Sequence, residues 1–378
     1  MIPTSAEVPM PANTLAVGAA GQNLADDKVV PRKQVVSWAM WDWATQPFNS
    51  VILTFVFASL YLVSDNFLPA DIAALPITDP VKERALAELA SGYGLATTIA
   101  GLLILLLAPV LGQRADASGI KKRLLLLFTA ILALLQFTLF FVYADPAYFW
   151  FGAAVLALGA VVSEIAGVNY NAMLVQVSTR KTIGRTSGLG WGFGYLGGML
   201  SLGLSLAYVL HAQARGMPAT EFVPVTMLIT AAVYGLASLA TFALLRERAV
   251  PVVAPLRLPG LRAALQRLGQ TWQRARQHRD FCWLLACGAA YQAGISVVIA
   301  LAAVYAEQAL GFQQSDTMML VLLVNIAAAV GAFAFGYFQD RAGHKWSLAV
   351  TLVGWIAMTV LAALATGPAL FWVAAVIA

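Results

Sequence analysis

Long apolar stretches alternate with short polar segments along the chain, and the length of those stretches sets its class. A helix needs about 20 mostly apolar residues to cross about 30 Å of hydrocarbon. Nine stretches meet that length, near 36–63, 89–112, 124–143, 148–177, 188–210, 223–245, 281–304, 317–338 and 347–366. A tenth begins at Pro368 and reaches Ala378, enough helix for about 16 Å, roughly half the hydrocarbon thickness. The expectation is a second bundle cut off in its fourth helix, with two more helices to follow.

The polar segments carry the orientation. Alternating the nine crossings puts nearly all basic residues on the amino-terminal side, and only Lys82, Arg84 and Arg215 of the 23 fall opposite. That asymmetry predicts a multi-pass protein of the cell (inner) membrane with its amino terminus in the cytoplasm. Residues 1–34 are polar and proline-bearing, with no basic start followed by an apolar run, so they read as a flexible cytoplasmic tail and not as a signal peptide. Residues 35–245 form one six-helix bundle and 281–378 the second. Between them, in the linker 246–280, Leu261, Leu265, Leu268 and Trp272 recur at helical spacing among Arg262, Arg267 and Arg274, which predicts an amphipathic helix on the cytoplasmic leaflet. Trp38, Trp150, Trp191, Trp283, Trp346 and Trp372 fall near predicted helix ends, where indole rings favour the interface.

Composition agrees. With 60% hydrophobic residues, 11% charged residues and a mean hydropathy of +0.78, the chain has too little charge to cover a soluble domain. The net charge of +5 sits in loops and on no single polar face, which removes nucleic acid as a partner. Cys282 and Cys287 are too few for a disulfide framework or zinc site and read as inert packing residues. His211, His278 and His344 lie in separate loops, and no nucleophile motif or Walker loop is present. A membrane enzyme and an ATP-driven pump are therefore disfavoured, and no cofactor or metal is called for.

An internal repeat narrows the class. GQRADASGIKKR follows the second span and GYFQDRAGHKWS the eighth, so that Gly112, Asp116, Gly119 and Lys121 match Gly336, Asp340, Gly343 and Lys345 at one constant offset. Both copies follow even-numbered spans, which makes the halves parallel repeats. The pattern resembles the signature loop of the major facilitator superfamily. The resemblance implies two parallel six-helix bundles in an all-α membrane protein, and a latch that closes the cytoplasmic side when the transporter is open outward. Arg341 keeps the basic residue that usually follows the aspartate, whereas Ala117 departs from it and implies a weaker first latch. WAMWDWATQPFNSVILTFVF, VNYNAMLVQVS and SGLGWGFGYLGG further resemble the subfamily of fungal vacuolar amino-acid effluxers linked to autophagy and its many bacterial permeases. Members tend to carry an acidic residue before a glycine in the seventh span, where this chain has Tyr291, Gln292, Ala293 and Gly294.

Charge inside a bilayer is expensive, so in-span carboxylates are functional candidates. Asp42 in the first span and Glu164 in the fourth are the two lying well inside. Asp42, Gln46 and Asn49 share one helix face, and Glu164 and Asn171 another. The resemblance turns the first, fourth and seventh spans toward a central cavity, which gives Asp42, Gln46, Asn49, Glu164, Asn171, Tyr291 and Gln292 as the substrate and ion site. Against that stand structural readings: Asp42 capping a helix or pairing with a loop arginine, and Glu164 hydrogen-bonding between helices. Asn169 and Tyr170 read as interhelical contacts, and Gly188, Gly190, Gly192, Gly194, Gly197 and Gly198 as close packing of the fifth span.

The function expected is secondary active transport of a small polar metabolite, amino acids among the candidates, by alternating access in a monomer. Lipids are neighbours and protons the candidate coupling ion. Lipid or drug transport on the same fold is the alternative, as is a non-transporting receptor.

Overall fold

A computed structural model describes residues 30–118, 120–246, 261–310, 312 and 314–377. Most of the predicted tail, part of the linker and Gly119 lie outside the described residues, as does the side chain of Asp116. Thirteen α-helices are described. In the first half they are α1 (Arg32–Pro47), α2 (Ala70–Ala73), α3 (Pro80–Ser118), α4 (Lys121–Thr138), α5 (Phe149–Ala172), α6 (Leu174–Val177), α7 (Ile183–Ala214) and α8 (Ala219–Leu244). The linker helix is α9 (Leu261–Ala275), and the second half holds α10 (Arg279–Leu310), α11 (Gln314–Ala342), α12 (His344–Ala363) and α13 (Pro368–Ile377). Eight of these helices, with their short extensions, are long and apolar enough to cross a membrane.

The first predicted span departs from a simple α-helix. α1 ends at Pro47, and the chain continues in wider π-turns over Phe48–Phe55 and Phe57–Leu62. The backbone bonds there run five residues back, Val56 N–H to Val51 C=O (2.8 Å) and Val63 N–H to Ala58 C=O (3.1 Å). Pro47 supplies the cause: it has no N–H for the Trp43 carbonyl, and its ring crowds that carbonyl. The wide turns bury Phe48, Val51, Ile52, Phe57 and Tyr61 in the core of the first bundle, with Leu132 and Leu139 of the α4 stretch, Leu156 of α5, and Met227 and Tyr234 of α8.

At the far end of this span, Lys82 fixes the loop that precedes α3. Its ammonium lies 2.6 Å from Asp65 Oδ2 and donates to the Ala73 and Leu75 carbonyls, which satisfies a buried cation completely.

α7 is the hub. It packs along α1 on one side and along α11 of the second half on the other. Both contacts run over glycine. Toward α1, a Cβ on Gly194 would fall 2.8 Å from Asp42 Oδ2, one on Gly198 would fall 2.9 Å from Ser50 Oγ, and one on Gly197 would collide with the Trp43 carbonyl. Toward α11, Cβ atoms on Gly184 and Gly188 would collide with the backbone carbonyls of Gly336 and Ala332. The fifth-span glycines thus form two stripes, one within a bundle and one between bundles.

Other expectations change. Trp38 does not sit at an interface: it is 2% exposed and stacked on Tyr170, because α7 covers the face of α1 that carries it. Trp150, Trp191, Trp283 and Trp346 are exposed as expected. Cys282 and Cys287 are both free, but Cys287 is exposed and packs no core, since α10 is held loosely by its own bundle. The linker does form a helix, α9, which lies against α3 with Leu265 and Trp272 exposed.

Gly197→Ala is expected to destabilise the fold by about 1–3 kcal/mol, because the clash is with backbone that no rotamer change can relieve. Gly203→Ala on the same helix meets no atom within 4 Å and is expected to be neutral or mildly stabilising. Thermal unfolding of the two variants in detergent checks the contrast, and equal losses would contradict it.

Candidate functional site

Three groups of residues carry chemistry, and α7 touches two of them. The first is at its amino terminus. Thr182 precedes α7 without a side-chain cap, which leaves the first N–H groups of the helix in need of acceptors. Asp340, near the end of α11, supplies them from the other bundle. Gly184 N–H donates to Asp340 Oδ1 (2.6 Å) and Arg185 N–H donates to Oδ2 (3.1 Å). The Arg185 guanidinium Nε stands 3.8 Å from the same carboxylate. A carboxylate at a helix amino terminus gains both charge-assisted hydrogen bonds and the helix dipole. The side chain of Asp340 is 10% exposed, so this contact is closed to bulk solvent on most sides.

The rest of the second signature copy shapes the same corner. Gly336 is pressed against Gly184 and Arg185, and Gly343 turns the chain from α11 to α12 at φ +85, a conformation other residues rarely adopt. Gln339 Nε2 and His344 Nδ1 are 2.7 Å apart across that turn. Arg341 and Lys345 are exposed. In the first copy, Gly112 lies on α3 against Val168 of α5, and Lys121 Nζ reaches the Ala172 carbonyl at 3.5 Å. A shallow groove of about 180 Å³ runs along the α7–α11 seam beside these residues, lined by Ser187, Gly188, Trp191, Ala332, Phe335 and Gln339 among others.

The second group is on α1, about 15 Å further along α7 at 1.5 Å per residue. Asp42 is half-buried with a carboxylate oxygen seated at Gly194, and it forms no ion pair among the described residues. It neither caps a helix nor meets a loop arginine, since it lies mid-helix with glycine opposite. Gln46 packs at Gly198, and Asn49, in the first π-turn, donates to Gln46 Oε1 at 3.4 Å. Tyr170 and Tyr195 are within electrostatic range of Asp42.

The third group is the uncovered face of α5. Glu164 and Asn171 are exposed there, with Gly167 between them meeting nothing within 4 Å. Asn169 is buried and donates to the Ile165 carbonyl of its own helix (2.8 Å). Tyr170 is buried between Trp38 and Trp41. Tyr291 and Gln292 lie on α10, which packs against α9 and helices of its own bundle, and no contact joins them to Asp42 or Glu164. Sequence reasoning missed Gly184 and Arg185 as the partners of Asp340. Their signal was present, a helix start without a capping side chain at the equivalent membrane level.

Comparisons with known proteins bear on the fold and the family. The chain is 27% identical over 351 residues to the uncharacterised MFS-type transporter YxiO of Bacillus subtilis (strain 168), covering 91% of this chain and 76% of that one. Its fold is similar to that of the MFS proton:xylose symporter XylE bound to 6-bromo-6-deoxy-D-glucose. That match has a TM-score of 0.59 at 12% identity, over 91% of this chain and 77% of the other. The family described as vacuole effluxer Atg22 like matches residues 175–367, just over half of the chain. This is therefore a transporter of the major facilitator type, not an enzyme, and it belongs to the vacuole effluxer Atg22-like family.

Proposed function

We propose that the protein carries a small polar metabolite through the membrane by alternating access, with Asp340 as the latch that closes the end bearing the signature loops. The observation that carries this reading is the capping of α7 by a carboxylate from the opposite bundle. A helix end that depends on the other half of the molecule for its acceptors is stable only while the halves are together. When they part, water must replace Asp340, so the contact defines two states and biases them. The positive-inside pattern supports a cytoplasmic latch, with the amino terminus on the same side. The closed latch then corresponds to a carrier open outward, with 35–245 and 281–378 as the two moving halves.

Asp42, Gln46, Asn49, Glu164 and Asn171 are the polar groups offered by the first and fourth spans, and we take them as the substrate and ion site, with Tyr291 and Gln292 joining from the seventh. Paired amide and carboxylate groups suit a ligand with both donors and acceptors, and amino acids fit that description. Protons are the coupling ion this reading favours, because Glu164 is an in-span carboxylate on an open face. Counterflow in proteoliposomes with the twenty amino acids and with xylose tests the class. Flux of none of them would leave the site without its proposed substrate.

Two predictions follow from the two groups on α7 and the open face of α5. Asp340→Asn removes a charge that accepts two backbone hydrogen bonds, worth about 1.5–3 kcal/mol each to a charged partner. A single cysteine at Ser187, in a chain with Cys282→Ser and Cys287→Ser, is expected to react with N-ethylmaleimide about tenfold faster once the latch is broken. An unchanged rate would reduce the second loop to a spacer. Glu164→Gln keeps shape but cannot exchange a proton, so uptake driven by a pH gradient is expected to stop while counterflow continues. Asp42→Asn is expected to impair both. Gradient-driven uptake by Glu164→Gln at the unmodified rate would remove that residue from coupling.

A further inference from the structure

Tyr170 has a side chain whose placement the transport reading has not used. The residue is 5% exposed, with its ring between two indoles: Trp38 at 4.3 Å and 5° on one face, Trp41 at 4.6 Å and 30° on the other. Trp38 also donates its Nε1–H to the Tyr170 carbonyl at 3.0 Å, and Trp41 donates to Thr129 Oγ1 at 2.9 Å. Both indoles are thereby fixed, and the phenol ring between them cannot turn. Its hydroxyl is aimed at one point on α7, where a Cβ on Gly190 would lie only 2.6 Å away. That hydroxyl is buried and has no hydrogen-bond partner.

One turn further along the same stripe, Asp42 Oδ2 sits at Gly194 in the same manner. Four residues of helix are about 6 Å of rise, so a rigid donor and an unpaired acceptor face one glycine track about a turn apart. The titratable groups facing Asp42 are Tyr170 from α5 and Tyr195 from α7; no lysine or arginine pairs with it among the described residues. A buried hydroxyl and a charged carboxylate are each costly unpaired, and each is what the other lacks. Because neither Gly190 nor Gly194 carries a side chain, nothing on α7 blocks the carboxylate from moving between them.

We infer that Tyr170 is a positioning residue for Asp42, whose carboxylate accepts a hydrogen bond from the Tyr170 hydroxyl in the state where the latch is open and α1 has shifted along α7. This rests on the alternating-access reading. In the latched state Asp42 stays at Gly194, free for a ligand. In the other state the clamped phenol holds it, so the Trp38–Tyr170–Trp41 stack stabilises one end of the cycle.

The test needs no substrate. The maleimide reaction at the Ser187→Cys site is measured in the otherwise unmodified cysteine-free chain and with Asp340→Asn, each combined with Tyr170→Phe, Asp42→Ala or both. Tyr170→Phe keeps the stacked ring and removes only the donor. It is expected to slow labelling about tenfold in the Asp340→Asn chain, with Asp42→Ala doing the same and the pair no more than either alone. Melting temperatures of Tyr170→Phe and the parent should agree. Labelling unchanged by Tyr170→Phe, additive effects of the two changes, or a Tyr170→Phe melting loss as large as that of Tyr170→Leu would each overturn the inference. If Asp340→Asn has no effect of its own, the latch reading fails instead. The Tyr170 inference then stands or falls on whether Tyr170→Phe and Asp42→Ala slow labelling in the chain that retains Asp340.

Discussion

Backbone-to-backbone approach along α7 is the contact on which the rest of this molecule depends. In lipid there is no hydrophobic gain from bringing two apolar helices together, so association rests on van der Waals contact and a few polar bonds. α7 meets that condition twice, on stripes of glycine that face α1 and α11. Leucine on either stripe would hold the helices apart by a side chain's width. The cost is a helix rich in its least favoured residue, offset here because a span in lipid has no competing hydrogen-bond partners for its backbone.

The two stripes differ in what they must permit. The α1 side joins helices of one bundle and is reinforced by indole stacking and by the fit of the Trp43 carbonyl into Gly197. The α11 side joins bundles that have to separate, and its polar contribution is concentrated at one carboxylate. Two charge-assisted bonds and a helix dipole amount to a few kcal/mol, enough to hold one state at a hundredfold or more yet small enough for ligand binding to overcome. A seam stabilised by a large dry interface would not cycle.

How much of this was legible in the sequence follows from what each signal measures. Hydropathy gave the spans because lipid selects for length and apolarity alone, and the repeat gave Asp340 because four positions recur at one offset. Partners across space were not legible. Trp38 reads as an interfacial residue from its place near a helix end, yet α7 covers it, and only tertiary packing decides that. Pro47 was visible and its consequence was not, since a proline in a span kinks, ends or widens the helix depending on whether a neighbour can receive the freed carbonyl. Gly197 is that neighbour here. Tyr291 and Gln292 were placed by resemblance, and no contact in this state joins them to Asp42 or Glu164, because α10 packs within its own bundle.

One helix therefore carries both the latch and a seat for Asp42, about 15 Å apart on a rigid rod. Any movement of α7 relative to α1 that alters the Gly194 seat is also a movement of the helix end that Asp340 caps. Coupling between the two is then a matter of geometry and not of a chain of intermediaries. Linkage makes it reciprocal: a ligand that holds Asp42 in one position biases the latch, and the state of the latch changes the affinity for that ligand by the same factor. The glycine stripes are what make the rod shareable. Side chains there would let each contact adjust locally, whereas bare backbone transmits displacement because it has nothing to rearrange.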